Sequence, residues 1–155
     1  MDYLLLKFIH ILSATILFGT GIGSAFYMFM ANRRKDIGGI YFATRHVVIA
    51  DWLFTTPSVI VQLVTGIALA HAMGLPLNEG WVLWALILYC FVGACWVPVV
   101  WMQIKMRDMA KYALDTGSAL PDRYWRFDRW WIALGALAFP AVVGVIALMV
   151  MNPTL

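Results

Sequence analysis

Charge is what this chain has least of: of its 155 residues, 11 are Lys or Arg and 8 are Asp or Glu, 12% in all. A soluble globular domain has roughly 25% charged and about 45–50% apolar residues. A chain that is 63% hydrophobic is therefore not one, and the same composition excludes disorder. The net charge of +3, with no basic face interleaved with aromatics, excludes nucleic-acid binding. Only two cysteines occur. Cys90 and Cys95 project about 140° apart on a helix, so they form neither a disulfide nor a metal pair with each other and read as small core residues. The nine methionines are not grouped into a copper-binding repeat. No Ser-His-Asp grouping, Walker loop or paired-carboxylate site is present. The run Gly19–Thr20–Gly21–Ile22–Gly23 has no strand before it and is no nucleotide loop.

What the chain does have is long apolar runs. A bilayer-spanning helix needs about 20 mostly apolar residues, and four stretches qualify: Phe8–Met30, Trp52–Met73, Trp81–Gln103 and Trp130–Met151. None shows the period-two alternation of a membrane barrel. The first lacks the basic n-region and cleavage site of a signal peptide. All Lys and Arg except Lys7 fall in residues 31–51 and 104–129. The positive-inside bias makes those connections cytoplasmic, and both termini and the Gly74–Gly80 turn then face outwards. Five tryptophans at span ends, Trp52, Trp81, Trp84, Trp130 and Trp131, read as interfacial belts. Ile104–Leu114 is predicted to continue the third span and stop at Thr116–Gly117–Ser118. A further helix should start near Pro121 with Asp122 in its first turn. Ile37–Ala50 reads as either an interfacial helix or an extension of the second span. Pro57, Pro98 and Pro140 mark kinks.

An ionisable residue inside a span is a functional candidate by default. His10, Ala14, Leu17 and Gly21 share one helix face, and Thr15, Gly19 and Gly23 share the opposite one. The second stripe is suited to close helix approach, which predicts that the first helix is contacted on two sides. Aligning the apolar stretches antiparallel sets Phe8 opposite Met73, which puts His10 and His71 at one depth. Two facing imidazoles in a helical bundle are a candidate haem-iron site; the competing reading is two interfacial side chains. Lys7 projects near His10, positioned either for a haem propionate or to snorkel to headgroups. His46, beside Arg45, reads as interfacial. Asp51 is expected to pair with Arg129 or Arg126, as a topological lock or a proton relay. Gln62 and Gln103 are expected to make interhelical hydrogen bonds.

The segments Lys7–Phe8–Ile9–His10–Ile11, Asp51–Trp52–Leu53–Phe54–Thr55–Thr56–Pro57, Trp96–Val97–Pro98–Val99 and Met149–Val150–Met151–Asn152–Pro153 resemble a bacterial family of predicted integral membrane proteins with no assigned function, over nearly the whole chain. More distantly, the chain is similar to the small four-helix protoporphyrinogen IX oxidases of bacteria, which are haem-b membrane proteins. Lys7–x–x–His10 matches their first-helix motif, and the resemblance makes His10 the haem ligand. Thr56–Pro57 and Gly66 match their second helix, and Trp81 matches the start of their third. Leu83 and Ala85 stand where that family has a histidine and a lysine, and Phe26 stands where it has an arginine. These departures argue against porphyrinogen oxidation and leave His10-dependent haem binding.

The resulting expectation is an all-α protein: a single domain over residues 1–155, an antiparallel bundle of four transmembrane helices in the bacterial inner membrane. Its expected function is that of a cytochrome-b-like redox protein near the outer face, and any enzyme of this kind would be a membrane oxidoreductase. Haem b would be held by His10 and His71, with Lys7, Ala14 and Gly21 around it. The alternative is a non-catalytic subunit that assembles or stabilises a larger membrane complex. It would use Gly19 and Gly23 against another membrane protein or a second copy.

Overall fold

The computed structural model describes residues 2–151 and Pro153 and contains, among them, helices and no strand. Helix α1 runs Tyr3–Arg34 and α2 Ile37–Ala50; a π-helical turn over Asp51–Thr55 then leads straight into α3, Thr56–Ala72. Helices α4 and α5 cover Gly80–Thr116 and Asp122–Met151. Four helical rods result, of 32, 36, 37 and 30 residues, each long and apolar enough to cross a membrane. At about 1.5 Å per residue they measure roughly 45–55 Å, well beyond a hydrocarbon layer about 30 Å thick. The surplus lies mostly at the end that carries the Arg and Lys residues, here called the basic end. The opposite, terminal end is where α1 begins and α5 stops.

Local chemistry sets the boundaries. Lys35 ends α1 in the left-handed conformation (φ 57°), and the Asp36 carboxylate then caps α2 by accepting from the Gly39 N–H at 2.7 Å. Ile37–Ala50 is therefore an extension of the second span and not a separate interfacial helix. Helix α4 stops where Gly117 takes φ 65°, inside the expected Thr116–Gly117–Ser118 breaker, and α5 starts directly after Pro121. Pro57 lacks the N–H that would bond to Leu53 and crowds that carbonyl. The chain answers with the wider turn just before it, in which the Thr56 N–H bonds to the Asp51 carbonyl.

The core lies at the basic end. Met28, Ile40, Val47, Met102, Met106, Ala110, Tyr124 and Trp131 form one buried cluster drawn from α1, α2, α4 and α5. A polar bridge closes the ring between α1 and α5: Tyr124 Oη donates to Asn32 Oδ1 at 2.7 Å, and Asn32 Nδ2 donates to Asp128 at 2.7 Å. Toward the terminal end the helices pair off, α1 with α3 and α4 with α5. Side chains connect the two pairs: Phe18 stacks on Phe139 with ring centroids 5.8 Å apart, and Tyr89 Oη donates to the Val59 carbonyl at 2.6 Å. Trp131, expected in an interfacial belt, is instead buried, whereas Trp52, Trp84 and Trp130 are exposed as a belt requires.

Candidate functional site

The α1–α3 pair meets in a fixed antiparallel register. Tyr3 lies against Met73, His10 against Thr65 and Ser13 against Gln62. Matching the ends of the apolar stretches predicts a register some six residues different. The helices begin at different depths, so hydropathy limits do not align across the pair. Six residues amount to about 9 Å along a helix. His71 therefore sits beyond His10 toward the terminal end and is exposed, and the structure does not bring the two imidazoles together.

His10 is instead the centre of a buried polar network. Its Nδ1 lies 2.8 Å from Thr65 Oγ1, and the Thr65 hydroxyl donates to the Val61 carbonyl at 2.6 Å. That leaves the Thr65 oxygen to accept, so Nδ1 carries the imidazole proton. On the other edge of the ring the Gln62 amide nitrogen, a donor only, lies 3.2 Å from Nε2. Nε2 is thus the lone-pair nitrogen. Gln62 Oε1 accepts from Ser13 Oγ at 2.5 Å, and this hydroxyl also lies 2.9 Å from the His10 carbonyl. Gly66 makes room for the ring: a Cβ there would stand 3.3 Å from His10 Cε1. The amide of Gln62 thus bridges helices as expected, and Ser13 and Thr65 are the partners that sequence reasoning missed. Ser13, three residues after His10 and so near its face, was the available signal.

The other candidates scatter. Lys7 is exposed one turn from His10, Ala14 is half-buried, and Gly21 is exposed well toward the middle of α1. A Cβ at Gly19, Gly21 or Gly23 would meet nothing within 4 Å. Among the described residues, therefore, no helix packs on the glycine stripe, and the expected second contact face of α1 is open. His46 is exposed at the basic end, with Nδ1 2.7 Å from the Phe42 carbonyl and its ring on Phe42. Both cysteines are free, Cys95 buried and Cys90 exposed.

A second buried polar group forms at the π-helical turn. Asp51 is buried and makes no ion pair with Arg126 or Arg129, both of which are exposed. The direction of these long side chains, out from the start of α5, keeps them away from a carboxyl that points into the bundle. Gln103 meets it instead. The Gln103 amide donates to Asp51 Oδ2 at 2.7 Å, and its oxygen accepts from Trp131 Nε1 at 3.2 Å. This explains the burial of Trp131, whose indole N–H needs an acceptor there.

Among the described residues no group of three or more His, Cys, Asp or Glu side chains is placed to hold a metal ion. A single axial bond to a haem iron needs less: one imidazole with a free Nε2 lone pair and an anchored Nδ1–H. At His10 the Nδ1–H is anchored and Gly66 accommodates the ring, while Nε2 is engaged by the Gln62 amide at 3.2 Å, which would have to be displaced. The arrangement supplies no second axial donor.

No curated protein and no solved structure matches the chain. A family profile described as "Predicted integral membrane protein (DUF2269)" matches residues 4–153, almost the full length. With four apolar helices of membrane-crossing length and this match, the chain belongs to that family of integral membrane proteins.

Proposed function

We propose that the protein is a haem-b-binding, cytochrome-b-like redox protein of the bacterial inner membrane, with His10 as axial ligand near the periplasmic face. The observation that carries this reading is the protonation pattern of His10: Nδ1–H is given to Thr65 and the Nε2 lone pair is presented to a single amide donor. Iron-bound histidines are held in that way, with the non-ligating N–H anchored so that ring orientation and basicity are set. When bound, haem supplies a one-electron carrier whose potential follows its ligand and its burial.

The chain's own residues have distinct parts in this reading. Thr65 orients the imidazole, Gly66 leaves it room, and Gln62 gives up its bond to Nε2. Lys7 offers a cation for a propionate, while Ala14 and Gly21 continue the His10 face as a small-residue wall. The basic connections lie in the cytoplasm, so His10 lies on the periplasmic side. With His71 exposed, and Leu83 and Ala85 apolar, His10 would be the one side chain of this set to hold the group.

The test is the absorption spectrum of protein purified in detergent from cells supplied with haem. A Soret band is expected in the wild type, lost in His10→Ala and unchanged in His71→Ala and His46→Ala. A colourless wild-type preparation sinks the proposal. The second reading, a non-catalytic subunit of a larger assembly, is favoured by the uncovered Gly19 and Gly23 face. It expects a detergent particle heavier than one chain that reverts to a single chain when Gly19 and Gly23 are both replaced by Leu.

A further inference from the structure

Asp51 has the setting of a group that works as an acid. Its carboxyl is buried at the level where the chain switches from α2 to α3. The π-helical turn starts at the same residue, whose carbonyl takes the Thr56 N–H. Among the described residues no Lys, Arg or His nitrogen lies within 4.0 Å of it. The neighbouring elements explain why. From α1 the register sets Ser24 and Ala25 opposite, and from α2 the buried Val47 and Val48 precede it, while Arg45 and His46 are exposed. From α4 comes Gln103, while Arg107 is engaged by Asp108. From α5 comes Trp131, while Asp128 is held by Asn32 and Arg126 and Arg129 are exposed. Thr55, four residues on and beside the Asp51 carboxyl, has a buried hydroxyl that makes no hydrogen bond.

We propose that Asp51 is a proton-binding site of the membrane domain: a neutral carboxylic acid held by Gln103, which exchanges its proton with water at the basic end. Oδ2 accepts from the uncharged Gln103 amide, and no cation stands within 4.0 Å of the carboxyl among the described residues. An ionised carboxylate would keep a full charge in an apolar bundle with neutral donors alone, and such a charge is normally paired or discharged. On release the proton passes to water and the carboxylate remains, at the very residue where the helix has its wide turn. The inference stands on different residues from the His10 reading and does not depend on it.

Infrared spectroscopy of the full chain in lipid, combined with Asp51→Asn and Asp51→Ala, tests this directly. At mildly acidic pH the wild type should show a protonated-carboxyl C=O band that shifts in D2O and is absent from Asp51→Asn. The folded state then holds a proton that the unfolded chain gives up, so wild-type melting should fall as pH rises through the carboxylate range. Asp51→Asn, which mimics the neutral acid, should melt near the wild type at low pH and lack that fall, whereas Asp51→Ala should melt lower. Carboxylate bands alone at mildly acidic pH would overturn the proposal, as would failure of Asp51→Asn to fold. A rise in melting with added sodium, seen only when Asp51 is present, would identify a metal-cation site and overturn it equally.

Discussion

The two ends of the bundle are built differently. At the basic end, all four rods meet around Met28, Ile40, Met106 and Tyr124, each fully buried. At the terminal end, two helix pairs stand side by side, and the interior of one is the polar network around His10. In a membrane, apolar side chains gain little by turning from lipid to protein, so association relies on close packing and on hydrogen bonds that lipid cannot offer. The basic end uses the extra-long helices, which project past the hydrocarbon, to assemble a conventional apolar core. The terminal end lies within the lipid-covered length and is held by specific polar contacts. Apolar packing is thus concentrated at one end, and the other holds a buried, hydrogen-bonded imidazole.

That contrast is broken most directly at Tyr124. Tyr124→Ala empties a fully buried site and orphans Asn32, and should cost about 3–5 kcal/mol in a reversible detergent unfolding assay. If Tyr124→Ala melts like the wild type, the basic-end core does not hold the fold. Tyr124→Phe keeps the ring and should lose only about 1 kcal/mol, the worth of one hydrogen bond.

A smaller effect is expected at the terminal end. Gly66→Leu forces a side chain into the space of the His10 ring and should lower stability by about 1–3 kcal/mol. The His10 ring protons should shift in NMR at the same time. An unmoved imidazole would mean that α1 and α3 do not meet in this register.

Single contacts of the polar network should weigh less still. Gln62→Leu or Ser13→Ala removes one interhelical link, typically about 0.6 kcal/mol in a membrane protein. Losses as large as that of Tyr124→Ala would erase the difference between the two ends.

No loss at all is expected for Gly19→Leu and Gly23→Leu in the isolated chain. Neither site faces a neighbour, and replacing a helical glycine relieves about 1 kcal/mol of backbone cost. A fall in the melting temperature of the monomer would show that the face is covered.

How much of this was legible beforehand follows from what each signal measures. The breaker at Gly117, the continuation of the third span through Leu114 and the start after Pro121 are local properties, written in glycine, proline and capping chemistry. They appear in the structure as read. The offset of α1 against α3 is not local. Hydropathy reports which residues tolerate lipid, and it changes gradually over a turn or more, so it sets depth too coarsely to pair His10 with Thr65 over His71. Gly66, a gap that fits an imidazole, and Ser13, a hydroxyl beside it, were in view but became informative only once the register was known.

Asp51 shows the same limit from the electrostatic side. Counting charges near a span end makes Arg126 and Arg129 its natural partners, because sequence gives distance along the chain and not direction around a helix. What the sequence by itself determined is the number of rods and their shared basic end, since each follows from runs of apolar residues and from where charge is absent. What only the tertiary structure decided is which polar groups meet inside: His10 with Thr65 and Gln62, Asp51 with Gln103, Asn32 with Tyr124. Rotation and sliding of one helix on another are set by packing of side chains from several helices at once, and no single segment contains that information.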